Sequence, residues 1–178
     1  MLYSRIIVNK ENINKVIEKL NLIKRSEFAF YDLIYQNKNG TNITDDTLKV
    51  RVYQKNEWKT KDVLLIRKTA PMINRSKEDK VLLKKEFNTE KEAINFINTN
   101  FSNDYEYKFK LEKNGIEYSN DKLRVWVEEI KHMGTSIEIG SENPQEIENA
   151  IQLFDVKERL EKSVPEYLYN KLLLDIDV

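Results

Sequence analysis

Apolar and polar residues alternate along most of this chain, more often with the period of a strand than with that of a helix. A first strand is expected from about Tyr3 to Val8. Asn9 then precedes Ile13, Val16, Ile17 and Leu20, whose spacing is helical and whose start Asn9 can cap. An aromatic-rich strand follows near Glu27 to Tyr35, then a polar loop from Asn37 to Thr47 containing Gly40. Further strands are expected at Leu48 to Gln54, Val63 to Thr69 and Val81 to Phe87. The stretch Ala70 to Lys80, with Pro71 and many charges, reads as an exposed, mobile loop. A short amphipathic helix from about Thr89 to Asn100 would bury Ala93, Ile94 and Ile97.

In the second half, Tyr105 to Lys113 alternates strictly. Tyr105, Tyr107, Phe109 and Leu111 would face one way, with Glu106, Lys108, Lys110 and Glu112 facing the other. Leu123 to Ile130 and Thr135 to Ile139 form an expected strand pair turning at Met133-Gly134. Asn143-Pro144 and Ser163-Val164-Pro165-Glu166 each begin a helix, with Pro near the start and an acid in the first turn. Many strands with few helices and no regular β-α repeat exclude a doubly wound parallel sheet. With 178 residues and no linker, residues 1–178 read as a single domain.

Hydrophobic residues make up 40% of the chain and charged residues 34%, with 30 basic and 30 acidic side chains. The zero net charge argues against broad nucleic-acid binding but leaves room for charge segregated within the fold. No Cys is present, which removes disulfides, thiolate catalysis and a cysteine zinc site. Glycine occurs only at 40, 115, 134 and 140, too sparsely for a P-loop or a dinucleotide turn. His132 stands alone in a turn, without the partners of a catalytic triad. Neither zinc, haem nor a dinucleotide is called for. Met1 to Lys10 lacks the apolar run of a signal peptide, and no segment reaches membrane-spanning length, so a cytoplasmic protein without a membrane partner is expected.

The remaining chemistry lies on the strands. Alternate strand residues share a face about 7 Å apart, so Lys49 projects with Arg51, Lys84 with Glu86, Lys108 with Lys110, and Arg124 with Glu128. Such faces suit a phosphate chain with a divalent ion, because cations neutralise phosphate oxygens and carboxylates hold hard cations. They equally suit the solvated sides of ordinary antiparallel strands.

The order of segments resembles the CYTH, or triphosphate tunnel, family, which includes class IV adenylyl cyclases, thiamine triphosphatases and inorganic triphosphatases. The stretches that carry the resemblance are Phe30-Tyr31-Asp32-Leu33-Ile34-Tyr35, Leu48-Lys49-Val50-Arg51-Val52, Leu65-Ile66-Arg67-Lys68 and Lys84-Lys85-Glu86. The run from Val127 to Ile139 is similar to the family's acidic strand, turn and Glu-Ile-Glu strand, and Ser163 to Leu168 to its terminus. The resemblance implies a mainly β (α+β) fold, a closed antiparallel β-barrel tunnel with a few flanking helices. It further implies phosphate binding by Lys49, Arg51, Lys68, Lys84, Lys108 and Lys110, with Arg5 assisting; Arg124, on the face of Glu128, is a further expected substrate-binding residue. Glu86, Glu128 and Glu138 would hold one Mg or Mn ion.

Three positions depart from the family pattern. Its first strand reads Glu-x-Glu-x-Lys where this chain has Met1, Tyr3 and Arg5, and its Glu-Ile-Glu reads Glu138-Ile139-Gly140. The cationic grip is kept and the carboxylates are depleted. The expected partner is a nucleotide or polyphosphate small molecule. The expected activity is phosphoryl or nucleotidyl chemistry; the alternatives are a catalytically degenerate nucleotide-binding protein that senses or sequesters, or an enzyme that degrades a nucleotide signal without the usual metal site. A nucleic acid would enter only by a 5′-triphosphate end. Tyr31, Tyr53, Trp126 and Tyr167 would stack on a base or fill the barrel.

Overall fold

The computed structural model describes residues 1–40, 43, 46–56, 62–69, 72–73, 76–77 and 80–174. In chain order these form β1 (Leu2–Val8), a 3₁₀ turn (Lys10–Asn12), α1 (Ile13–Lys19), β2 (Ile23–Asn37), β3 (Thr47–Asn56) and β4 (Val63–Thr69). Next come β5 (Met72–Ile73), β6 (Ser76–Lys77), β7 (Lys80–Phe87), α2 (Glu90–Asn100), β8 (Tyr105–Ser119) and β9 (Arg124–Ile130). The chain continues with β10 (Gly134–Ser141), α3 (Pro144–Ile151), β11 (Val156–Leu160) and α4 (Val164–Leu174). Of the segment expected as a mobile loop, the described residues are the two short strands β5 and β6 and the first residue of β7, and the others lie outside the described residues.

Local signals set the element ends. Thr89 caps α2 by accepting from the Glu92 amide at 3.2 Å, while the Glu92 carboxylate accepts from the Asn88 amide at 3.0 Å. Asn143 caps α3 with Pro144 in its first turn. The β9–β10 turn needs left-handed backbone at His132 (φ 66°) and Gly134 (φ 91°), and His132 is an exposed turn residue as expected.

All eleven strands among the described residues belong to one antiparallel sheet, ordered β5-β6-β1-β10-β9-β8-β2-β3-β4-β7, with β11 also on β1. The mainly β, antiparallel expectation holds. The hydrogen-bonded sheet is open, however, where a closed barrel was expected. One edge of β1 pairs with β10; its other edge is taken by β11 along Arg5 to Val8 and by β6 at Tyr3. No backbone edge of β1 is left for β7.

Three apolar clusters organise the packing. On the outer face, α1 and α3 cover β1, β9 and β10 through Ile13, Val16, Ile17 and Ile147 against Ile6, Val125, Ile137 and Ile139. Elsewhere on that face α2 sets Ala93 and Ile97 on Leu33, Leu48, Val50 and Leu65. The third cluster is internal: Ile7, Ile34, Phe109, Leu111 and Ile130 meet Val164 and Leu168 of α4. Ile34 is fully buried there, and its truncation to Ala would cost about 2–5 kcal/mol.

The inner face is therefore layered. Read in steps of two, β1 carries Tyr3, Arg5, Ile7; β2 carries Phe30, Asp32, Ile34; β9 carries Trp126, Glu128, Ile130. Each strand passes from an aromatic tier through a charged belt to the aliphatic plug beneath α4.

Candidate functional site

A cavity of about 360 Å³ opens on the inner face, a size typical of small-ligand sites. It draws residues from strands across the sheet: Arg5, Asp32, Lys49, Arg51, Lys68, Lys113, Glu128 and Glu138 supply charge, and Phe28, Phe30, Tyr53 and Trp126 supply rings. Thr47, Ile66, Val81, Leu111 and the segment Ser163 to Pro165 at the start of α4 complete the lining.

The charges form two knots. In the first, Asp32 accepts from Arg51 through two 2.8 Å bonds and from Lys49 at 3.1 Å. Asp32 is only 3% exposed; burial opposes its charge, but Arg51 and Lys49 hold the carboxyl well below the usual range. Burial, then the nearby Arg51 charge, pushes the Lys49 ammonium down against the pull of Asp32. Arg51 also stacks on Phe30, with 3.7 Å from its guanidinium carbon to the ring centroid.

In the second knot Arg5 is forked between two acids. It donates to Glu128, to Ser136 Oγ at 2.9 Å and pairs with Glu138 at 2.8 Å. Lys113 donates to the other Glu128 oxygen at 2.6 Å. Burial disfavours the Arg5 charge, yet Glu128 and Glu138 raise its pKa above the ordinary value. Burial likewise opposes the Glu128 charge, while Arg5 and Lys113 lower its pKa.

Of the residues singled out in the sequence, Arg5, Lys49, Arg51, Lys68, Glu128 and Glu138 are brought together in this cavity. Lys84 and Glu86 are exposed on β7, beside Ile66 and Leu64 of β4 and outside the lining. Lys110 points to the outer face, its ammonium 4.0 Å from the Tyr31 ring centroid. Lys108 sits where β8 bulges, donates to Glu106, and lies 5.8 Å from the Tyr169 ring. The bulge places Phe109 and Leu111 in the internal cluster and Tyr105 in the outer one, so the strict alternation expected for this strand is broken.

Arg124 stands at the rim, chelating the buried Glu117 at 2.6 and 3.0 Å and lying 5.1 Å from the Trp126 ring. Tyr31 donates to Glu90 on the outer side, where burial and that carboxylate push its hydroxyl up to about 12. Tyr167 donates to Glu158 at 3.4 Å. Two charged cavity residues went unselected in the sequence, Asp32 as a site residue and Lys113. Asp32 carried a signal: an acid within the apolar run Phe30 to Tyr35 demands a buried partner.

A divalent ion does not fit these side chains as they stand. Among the described residues no group of three or more His, Asp or Glu is placed to hold a metal. Glu86 lies outside the cavity, and the Arg5 guanidinium already joins Glu128 to Glu138. The three departing positions also pack together: a Cβ on Gly140 would come within 2.8 Å of the Tyr3 ring and 3.1 Å of the Met1 sulfur. An apolar contact stands where the resemblance would put carboxylates.

The fold agrees with solved structures. PH1819 from Pyrococcus horikoshii OT3 matches with a TM-score of 0.74 and 18% identity, over 97% of this chain and 98% of that one. A candidate adenylate cyclase from Vibrio parahaemolyticus matches with 0.62 and 13%, over 93% and 95%. HpAC1 from Hippeastrum, a candidate adenylyl cyclase with a dominant triphosphatase activity, matches with 0.56 and 11%, over 85% of each chain. The chain has the CYTH fold. At these identities the likeness reaches the fold alone. No family model matches the sequence, and no curated protein matches it significantly. Within the CYTH fold this chain differs from the sequence expectation in its open sheet, its internal plug and the guanidinium between its lumen acids. No helix among the described residues is long and apolar enough to cross a membrane.

Proposed function

We propose that the cavity binds a polyphosphate-bearing small molecule, with the phosphate chain seated in the charged belt. The observation that carries this reading is the convergence of five cations, Arg5, Lys49, Arg51, Lys68 and Lys113, on one cavity holding three carboxylates. The belt has two more basic than acidic side chains to meet an anion, in a setting where burial strengthens each contact. Asp32 and Glu128 hold Arg51, Lys49, Arg5 and Lys113 in place beforehand, which reduces the ordering a ligand must impose.

Binding without the usual metal site is the form favoured here, because Arg5 stands between Glu128 and Glu138. Phosphoryl or nucleotidyl chemistry is the second reading. It is favoured by the fold likeness to HpAC1, described with triphosphatase activity, and by cations suited to charge on a transferring phosphoryl group. A small nucleotide partner also keeps the expectation of a cytoplasmic protein.

The test is to incubate the protein with ATP, GTP, tripolyphosphate and thiamine triphosphate, each with Mg²⁺, Mn²⁺ or chelator. Thermal shift reads binding and mass spectrometry reads products. Stabilisation in chelator with ligand recovered intact supports the favoured form, metal-dependent products support the second, and no stabilisation by any ligand overturns both.

A further inference from the structure

The charged belt accounts for phosphate, but the tier above it is built of rings. Phe28, Phe30, Tyr53 and Trp126 line the cavity on the side away from the aliphatic plug. These rings are not equivalent. Phe28 and Phe30 are 6% and 5% exposed, stacked on one another, and Phe30 is covered by the Arg51 guanidinium. Tyr53 and Trp126 are half-buried and remain accessible from the cavity.

Trp126 is held in place from both flanks of its strand position. Tyr3 packs against it with ring centroids 5.9 Å apart, and Tyr3 reaches that position because Gly140 leaves room for its ring. The Arg124 guanidinium, fixed by Glu117, lies 5.1 Å from the indole. Directly beneath, two residues along β9, is Glu128 of the belt. A ligand with phosphates in the belt would therefore have its other end beside Trp126 and Tyr53. The plug under α4 fills the opposite direction.

Resting on the polyphosphate reading, we propose that Trp126 and Tyr53 form a stacking subsite for the planar base of a nucleoside polyphosphate. The ligand enters phosphates first, and its base is retained at the aromatic tier. Inorganic tripolyphosphate fills the belt alone and lacks the ring contact. Stacking of a base on an aromatic side chain gives a preference on the order of ten-fold or more. Trp126 then determines specificity, and the belt determines affinity for phosphate.

Isothermal titration of ATP and of tripolyphosphate, both in chelator, tests this in wild type, Trp126→Ala and Trp126→Phe. The expected result is tighter binding of ATP than of tripolyphosphate by wild type. Trp126→Ala loses at least about five-fold in ATP affinity, the low end of the stacking range, with tripolyphosphate affinity unchanged. Trp126→Phe keeps a ring and most of the preference, which separates stacking from loss of fold. Equal binding of the two ligands by wild type overturns the base subsite while leaving the phosphate belt standing. Equal weakening of both ligands in Trp126→Ala, with no recovery in Trp126→Phe, overturns it too. Binding of neither ligand by wild type overturns the phosphate reading and this proposal with it.

Discussion

The ring of Tyr3 occupies the space that a side chain on Gly140 would need, its nearest carbon 2.8 Å from where a Cβ would stand. The two residues are also direct partners across β1 and β10. Gly140→Ala should therefore destabilise the protein by about 1–3 kcal/mol, the usual cost of overpacking. Adding Tyr3→Ala should recover part of that loss. Urea unfolding of the two single variants and the double variant reads the coupling, and simple additivity would contradict the contact.

Asp32 is the sole acid bonded to both Lys49 and Arg51 among the described contacts. Asp32→Asn leaves two buried cations without that charge, a change that typically costs about 3–5 kcal/mol. Tripolyphosphate should restore more stability to the variant than it adds to wild type, because the anion supplies the missing charge. Thermal unfolding with and without ligand measures the difference; an equal shift in both proteins would count against the belt as an anion site.

Acid sensitivity should have a contribution from Asp46. Its carboxylate accepts two bonds from Arg67 at 2.7 and 2.9 Å, one from Tyr105 at 2.6 Å and one from Asn37 at 3.1 Å. The Arg67 bonds chiefly, against some burial, hold it at about 2. A carboxyl depressed in the folded state stabilises above its ordinary pKa near 4 and loses that contribution as pH falls through the folded value. Asp46→Asn should lose about 1 kcal/mol at neutral pH, given partial exposure. It should also show a shallower fall in stability between about pH 4 and pH 2. An unchanged acid slope would show that these bonds do not titrate with folding.

The sheet and its chemistry were legible in the sequence to different depths. Most strand positions and the start of α3 could be read because alternation and Asn143-Pro144 are local signals, whereas Asn9, expected as a cap, makes no side-chain cap and donates to Asp155 instead. The bulge near Lys108 was not, since one extra backbone residue changes which face every later side chain takes and leaves no mark on the alternation itself. That is why Lys108 and Lys110 belong elsewhere while Lys113 lines the cavity. Asp32 was visible as an odd acid in an apolar strand, but its partners on β3 are set by pairing between strands. The open edge at β7 goes with β11 and β6 occupying the second edge of β1, a tertiary outcome that no local pattern encodes. The coupling of Met1, Tyr3 and Gly140 could be named as three departures in sequence; only the fold makes them one contact.

Arg5 gives a further expectation. Arg5→Met removes the cation between Glu128 and Glu138 at similar volume, leaving two lumen acids close together. The variant should lose stability and regain it with Mn²⁺, by about 2.7 kcal/mol when the ion is at 100 times its Kd. Wild type should show no such gain. Thermal unfolding over a Mn²⁺ series decides it, and equal stabilisation of wild type would mean that Arg5 does not stand in for the ion.

The most direct measurement is a crystal structure of the protein with a non-hydrolysable nucleoside triphosphate, grown in chelator. Phosphate oxygens should lie about 3 Å from the side-chain nitrogens of Arg51, Lys49 and Lys113, inside the cavity above the plug formed by Ile7, Ile34 and Ile130. Phosphates bound outside this cavity, away from Arg51, Lys49 and Lys113, would contradict the account.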